Sequence, residues 1–279
     1  MIIMKKLVIV LLLVFSSFSN IITVSAADNF SSPASFSVHK EFENACSASQ
    51  HIHNFSWAFG ESDVCNSCYY ERLHKTNIEL PFLIYRDHTF ARSEPRQTSS
   101  VTRELSGDEV ISIVARIRNE KNNVWCKTSD GDYIYVDNLV FDFDRMIVLS
   151  YELSRAHLGL DSAEAISSMY ELFEPGGILD FKSVNMLGAS RNLYKTHVKG
   201  RIVGSYTGEE IGNFVYGFNA AALGFDEELA IKAGGVGVVI SDWHFIKAVQ
   251  CLATGIGCDS EDDKENIIKG MKYYHYGQW

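Results

Sequence analysis

A change of hydrophobic period near residue 147 divides the chain and limits what each part can fold into. From Leu80 to Phe143 the apolar residues are β-branched or aromatic and alternate, as in Ile111, Ile113, Ala115 and Ile117. Alternation puts every second side chain on one face of a sheet. After Ile147 the spacing becomes helical, with glycine breaks, and holds to Trp279. Asn122-Asn123 and Ser129-Asp130-Gly131-Asp132 punctuate the alternating stretch. An Asp-Gly pair between β-rich runs signals a hairpin, because glycine accepts the positive φ of a tight turn. Five short strands within residues 80–143 fit a small β-barrel. The predicted fold class is therefore multidomain α+β: a small β-barrel over 80–143, followed by a mostly α-helical C-terminal domain over 147–279.

Helix boundaries are legible in the second part. Asp161-x-x-Glu164 has the spacing of a capping box, and Ala165, Ile166, Met169, Leu172 and Phe173 supply an apolar stripe. Pro175-Gly176-Gly177 ends that helix. A second helix is predicted from Asp226-Glu227-Glu228, acids suited to the positive end of the helix dipole. Its continuation from Leu229 to Leu252 is apolar on nearly every side, which predicts a central buried helix. Gly234, Gly235 and Gly237 lack the G-x-G-x-x-G spacing of a dinucleotide loop and read as sites of close packing or a bend.

Two short motifs in this region carry candidate chemistry. The first runs Pro175-Gly176-Gly177-Ile178-Leu179-Asp180-Phe181-Lys182, the second Glu210-Ile211-Gly212-Asn213-Phe214-Val215-Tyr216-Gly217. Lys182 can lower the pKa of Asp180 or steady an anionic transition state. Asn213 and Tyr216 offer neutral donors, and Tyr216 can also pass a proton. If the motifs face each other, Glu210 and Asp180 form a carboxylate pair, the minimal equipment for glycoside cleavage. The catalytic candidates are therefore Asp180, Lys182, Glu210, Asn213 and Tyr216. Each also has an architectural reading: a surface ion pair for Asp180 and Lys182, a helix cap for Asn213, core for Tyr216. His197 and His244 read as packed imidazoles, the latter beside Trp243 and Phe245.

Cys46, His51, His53, Cys65 and Cys68 crowd into a short segment, and Cys65-Asn66-Ser67-Cys68 is a C-x-x-C pair. Such a turn places both sulfurs on one side, as tetrahedral zinc requires, with Cys46 and either His51 or His53 completing the site. A segment with so little core also needs a staple. A disulfide from Cys46 to one of the C-x-x-C thiols is the competing arrangement. Either role is structural, since no ligand position stays open. Residues 41–79 are thus read as a zinc-ribbon-like segment with zinc as its cofactor. Cys126 reads as a buried thiol without chemistry, and Cys251 and Cys258 either close a small disulfide loop or stay apart.

At the other extreme of the chain, Lys5 and Lys6 precede an apolar run from Leu7 to Phe15, ending in Val24-Ser25-Ala26. This is the layout of a secretory signal peptide cleaved after Ala26, so residues 1–26 are expected to direct export and 27–40 to be a linker. The protein is expected to be secreted or to sit in the cell envelope, with no integral membrane segment in the mature chain. The net charge is −10, and from Ser150 onward 11 Lys and Arg face 17 Asp and Glu. That balance disfavours electrostatic capture of nucleic acid.

The ordered set Ala91-Arg92-Ser93-Glu94-Pro95, Ser99-Ser100-Val101, Leu105 to Val110, and Val124 to Leu139 resembles the bacterial SH3 domain over about residues 82–143. The resemblance implies a module that binds cell-wall peptides or glycans, with Trp125 and Tyr133 either lining a groove or packing in the core. The two C-terminal motifs, followed by Ala220-Ala221-Ala222-Leu223-Gly224-Phe225, resemble the bacterial toxin 44 domain of polymorphic toxin systems over about residues 150–250. That resemblance implies a mostly α-helical toxin domain, an immunity protein as partner, and RNase among the activities suggested for such toxins. Three functions follow as expectations. The first is an exported, toxin-like hydrolase acting on peptidoglycan in the envelope. The second is a secreted antibacterial RNase, the one reading in which nucleic acid is a partner. The third is a non-catalytic wall-binding protein.

Overall fold

The computed structural model describes residues 53–57, 60–61, 63–155, 162–188, 193–241 and 260–277. The expected signal peptide and linker lie outside the described residues, as do Cys46, His51, Asp161, His244, Cys251 and Cys258. Two short strands, β1 (Ser56–Trp57) and β2 (Gly60–Glu61), form an antiparallel pair. Seven strands follow: β3 (His74–Ile84), β4 (Thr89–Arg92), β5 (Val101–Leu105), β6 (Val110–Arg118), β7 (Val124–Thr128), β8 (Tyr133–Tyr135) and β9 (Leu139–Asp142). Then come α1 (Phe143–Arg155), α2 (Ser162–Phe173), β10 (Tyr194–Val198), β11 (Arg201–Tyr206), α3 (Gly208–Ala222), α4 (Glu227–Ser241) and α5 (Glu261–Tyr276).

The expectation of a small barrel followed by a mostly helical domain is overturned. Among the described residues, β3 to β11 form one open mixed sheet of nine strands, ordered β11-β10-β9-β3-β6-β7-β8-β4-β5. The alternating stretch does supply strands, but β3 pairs on both sides. It meets β6 through Leu80↔Ile113 and Phe82↔Ile111, and β9 through Phe82↔Phe141 and Ile84↔Leu139. The register shifts between Lys75 and Leu80. The sheet stays open because, among the described residues, its outer strands, β11 and β5, each pair on one side only.

The decisive addition comes from the part read as helical. Strand β10 pairs in parallel with β9, Thr196 opposite Phe141 and His197 opposite Asp142, and β11 returns antiparallel to β10. The hairpin turns at Lys199 (φ 49°) and Gly200 (φ 78°), two successive positive-φ residues matching the right-handed twist of the strands. A parallel neighbour requires a crossover, and α1 and α2 lie within that connection.

The helices cover this end of the sheet. Buried Phe143, Met146, Ile147, Ser150 and Ser154 give α1 one inward stripe. The main core joins Phe82 and Phe141 from the sheet and Phe143 from α1 to Phe181, Ile211, Phe214 and Val215. Helix α3 crosses α5 at backbone contact, and a second cluster of Met169, Ala220, Ala221, Phe225, Ala230, Ile267 and Met271 fills the space behind them. A third cluster, Cys65, Cys68, Tyr70, Ile117, Trp125 and Tyr133, seats the N-terminal segment on β6 to β8. Trp125 and Tyr133 are therefore core under that segment and line no open groove. No helix among the described residues is long and apolar enough to cross a membrane.

Candidate functional site

Helix α3 begins where β11 ends, and its first turn is locked by its own side chains. Thr207 is the N-cap: its hydroxyl accepts from the Glu210 N–H at 3.1 Å, and the Glu210 Oε2 accepts from the Thr207 N–H at 2.7 Å. This reciprocal capping box satisfies two helix-end donors and fixes the Glu210 carboxylate near the positive end of the helix dipole. Glu210 lies at the edge of a cleft of about 250 Å3 between α3, α5 and the end of β11. Its walls are Tyr206, Glu210, Asn266 and Lys269, and its floor is Ile211 and Phe214.

Helix α5 supplies the facing wall. Asn213 donates to the Asp263 carboxylate at 2.5 Å, which ties the two helices together just outside the cleft. The Asn266 amide donates to the Asp262 carbonyl at 3.0 Å. Lys269 pairs with Glu265 at 2.9 Å, one turn back on the exposed face. Exposed pairs of this kind are worth roughly 0–1 kcal/mol, so a ligand in the cleft can draw the ammonium inward at little cost. The cleft thus offers one fixed carboxylate, one adaptable cation, a phenol and an amide above an apolar floor.

The two sequence motifs do face each other, but through packing atoms. A Cβ on Gly208 would fall 2.5 Å from the Phe181 carbonyl oxygen, and one on Gly212 would touch the Phe181 Cβ at 3.4 Å. Asp180 itself is buried and turns back to accept the Gly176 N–H at 2.8 Å. Burial pushes its carboxyl above the ordinary range, against the Gly176 N–H, the Lys182 charge and the Ser183 N–H, which act to lower it. Lys182 is exposed. The Tyr216 hydroxyl donates to the Ala230 carbonyl at 3.1 Å, and its ring packs edge-on against Phe173. Of the five catalytic candidates, Glu210 lines the cleft; Asp180, Asn213 and Tyr216 are engaged in bonds that hold loops and helices together.

Tyr206, Asn266 and Lys269 carry no sequence motif. Asn266 and Lys269 share the i, i+3 spacing that sets them on one face of α5, a signal that only becomes specific once α5 is known to face α3.

A second polar constellation arises from the parallel register. The donor atoms of Asp142, Asp144 and His197 lie within 4.8 Å of one another. Asp142 accepts from the Arg145 N–H at 3.2 Å and pairs with its guanidinium at 3.1 Å. Asp144 accepts from the Lys199 N–H at 2.6 Å and from the Tyr273 hydroxyl at 3.2 Å. Burial, then the Asp144 charge, pushes Tyr273 up to about 12. The His197 Nδ1 stands 3.9 Å from Asp144. With both carboxylates already bonded, this set fastens β9, β10, α1 and α5 to one another.

Three of the five residues expected to bind metal are brought together. The donor atoms of His53, Cys65 and Cys68 lie within 4.8 Å of one another, with Cys68 Sγ 3.4 Å from His53 Nδ1. Cys126 is buried in β7, and burial raises its thiol to about 12, well out of nucleophilic range.

Residues 180–276 match the family model described as Bacterial toxin 44. The matched span takes in Asp180, the β10–β11 hairpin, α3, α4, α5 and every residue lining the cleft. No curated protein and no solved structure matches the chain.

Proposed function

We propose that this protein is an exported, toxin-like hydrolase that cleaves an acetamido glycan of the cell envelope, with the cleft between α3 and α5 as its working site and Glu210 as the proton-transferring group. The observation that carries this reading is the capped Glu210 at the wall of a cleft inside the toxin-matched span. One carboxylate among the lining residues suits a substrate-assisted route rather than a two-carboxylate one. Glu210, in its protonated form and with the proton on the oxygen that does not accept from Thr207, gives that proton to the leaving glycosidic oxygen while the acetamido oxygen of the substrate attacks the anomeric carbon. Water then opens the cyclic intermediate and returns a proton to Glu210. Lys269, Asn266 and Tyr206 hydrogen-bond the sugar, and Ile211 and Phe214 carry its apolar face. A net charge of −10 and the acidic first turn of α5 favour an uncharged glycan strand over the polyanionic backbone of RNA. The toxin family likeness also supports an immunity protein as the natural partner.

The test pairs two substrates with one variant. Purified protein incubated with peptidoglycan sacculi is expected to release reducing sugar ends and to leave RNA intact. Glu210→Gln keeps the capping box, because glutamine serves at that position as well as glutamate. It is expected to lose activity by on the order of a hundredfold or more with an unchanged unfolding curve. RNA degradation with untouched sacculi would replace the glycan with a phosphodiester substrate. Full activity of Glu210→Gln would remove Glu210 from the chemistry.

A further inference from the structure

We propose that His53, Cys65 and Cys68 supply three of the four ligands of a structural zinc ion that fastens the N-terminal segment to the sheet. Four observations converge on the site. The first is distance: a tetrahedral ion with Zn–S near 2.3 Å and Zn–N near 2.0 Å holds its ligands about 3.5 Å apart. The Cys68 Sγ to His53 Nδ1 separation is 3.4 Å.

The second is the turn that carries the cysteines. The Cys65 carbonyl accepts from the Tyr69 N–H at 3.0 Å, and the Cys65 N–H donates to the Tyr70 carbonyl at 2.7 Å. The chain reverses at once after Cys68 because Tyr69 takes φ 61°, the left-handed region. A side chain there costs roughly 1–2 kcal/mol, so the fold holds the reversal against a local preference. The reversal keeps both sulfurs on the inner side of the turn.

The third is the surroundings. Cys65 is 0% exposed and Cys68 9%, packed with Tyr70, Ile117, Trp125 and Tyr133. His53 stacks on Tyr70 with ring centroids 4.2 Å apart. A redox C-x-x-C pair works from a partly exposed position at a helix start. Here the chain turns through residues 66–68 and reverses at Tyr69 with no helix following, and the sulfurs face the core.

The fourth is need. Strands β1 and β2 contribute two residues each, so the stretch from His53 to Arg72 has little apolar core of its own. An ion joining its start at His53 to its turn at Cys65 and Cys68 closes it into one unit. Two thiolates neutralise the ion, and the borderline-soft N and S donors select zinc over magnesium or calcium.

The full-length protein, purified without chelator under reducing conditions, is assayed for metal by mass spectrometry. One zinc per chain is expected. Cobalt substitution is expected to give a thiolate-to-cobalt charge-transfer band, a signature absent from a disulfide. His53→Ala leaves the sulfur turn in place and is expected to speed zinc loss to a chelator by on the order of tenfold or more. Cys68→Ser is expected to abolish the cobalt band, and Cys126→Ser, away from the site, to retain it. Recovery of Cys65 and Cys68 joined as a disulfide in protein isolated without reductant, or a reduced chain that takes up no zinc even when zinc is added, overturns the proposal. Zinc held equally well by His53→Ala and Cys68→Ser overturns it as well, by putting the ion elsewhere.

Discussion

Gly217 and Gly270 occupy reciprocal positions in the α3–α5 crossing: a Cβ on Gly217 would fall 2.0 Å from the Ile267 carbonyl oxygen, and one on Gly270 would fall 2.0 Å from that of Phe214. The two helices therefore touch backbone to backbone, and the distance sets how wide the cleft between them can be. Helix propensity alone favours alanine over glycine by about 1 kcal/mol, so the sign of a substitution is a contest between propensity and overlap.

Overlap wins at these two positions. Gly217→Ala and Gly270→Ala are each expected to destabilise the protein by about 2 kcal/mol or more, seen as a lower denaturant midpoint at constant slope. Gly212→Ala is the control, because its Cβ would meet Phe181 at an ordinary 3.4 Å. It is expected to be neutral or mildly stabilising; a loss equal to that at Gly217 would refute the close-contact account.

Glu71 makes stability depend on acid. It is buried against Arg116 at 3.5 Å, Arg118 at 3.3 Å and His74 at 3.4 Å. Burial acts to raise its carboxyl, but the His74 hydrogen bond and the charges of Arg116, His74 and Arg118 hold it at about 2 against an ordinary 4.5. A carboxyl lowered by folding contributes stability that is present above the unfolded value and lost as pH falls through the folded one. A shift of this size corresponds to about 3 kcal/mol, lost between roughly pH 4.5 and 2. Glu71→Gln is expected to flatten the urea midpoint across that window and to cost about 3–5 kcal/mol at neutral pH, since it leaves two buried guanidiniums.

Glu210 separates folding from chemistry. Glu210→Ala removes the side-chain half of the capping box and is expected to cost about 1 kcal/mol, read from thermal unfolding. Glu210→Gln retains the cap and is expected to match the parent protein in stability. If both variants unfold alike, the Glu210 bond to Thr207 contributes nothing.

Asp180 holds a loop. Since burial raises its carboxyl, the ionised form is the less favoured one in the fold, and its contribution to stability weakens as pH rises through the folded value. Asp180→Asn keeps an oxygen for the Gly176 N–H and is expected to change stability by less than about 1 kcal/mol. Asp180→Ala strands that donor and is expected to cost about 1–3 kcal/mol. Calorimetry at neutral pH distinguishes them, and equal losses would show that the Gly176 bond is not what Asp180 supplies.

Several features are set by residues close together in the chain. The alternation from Leu80 to Phe143 yields strands because neighbouring side chains must leave a sheet on opposite faces. Pro175-Gly176-Gly177 ends α2, and Asp226 accepts the Leu229 N–H at 2.8 Å to start α4. Each follows from backbone geometry or local hydrogen bonding. The open nine-stranded sheet does not. Tyr194, Thr196 and Val198 alternate with the polar Lys195 and His197, the period of a half-buried strand, but the run is only five residues long, and Lys199-Gly200 is a weaker turn signal than Asp-Gly. β10 pairs along its length with β11 in a local hairpin, but its place in the large sheet comes from its parallel partner β9, reached only after α1 and α2 have crossed over. The candidate site has the same origin: Glu210 is positioned by its own helix turn, whereas Lys269 and Asn266 reach it because Gly217 and Gly270 let two helices meet. Sequence by itself determined which segments could become strands, helices and caps, because those depend on neighbours a few residues away. Only the tertiary structure decided which segments pair, because that rests on the joint burial of surfaces far apart in the chain.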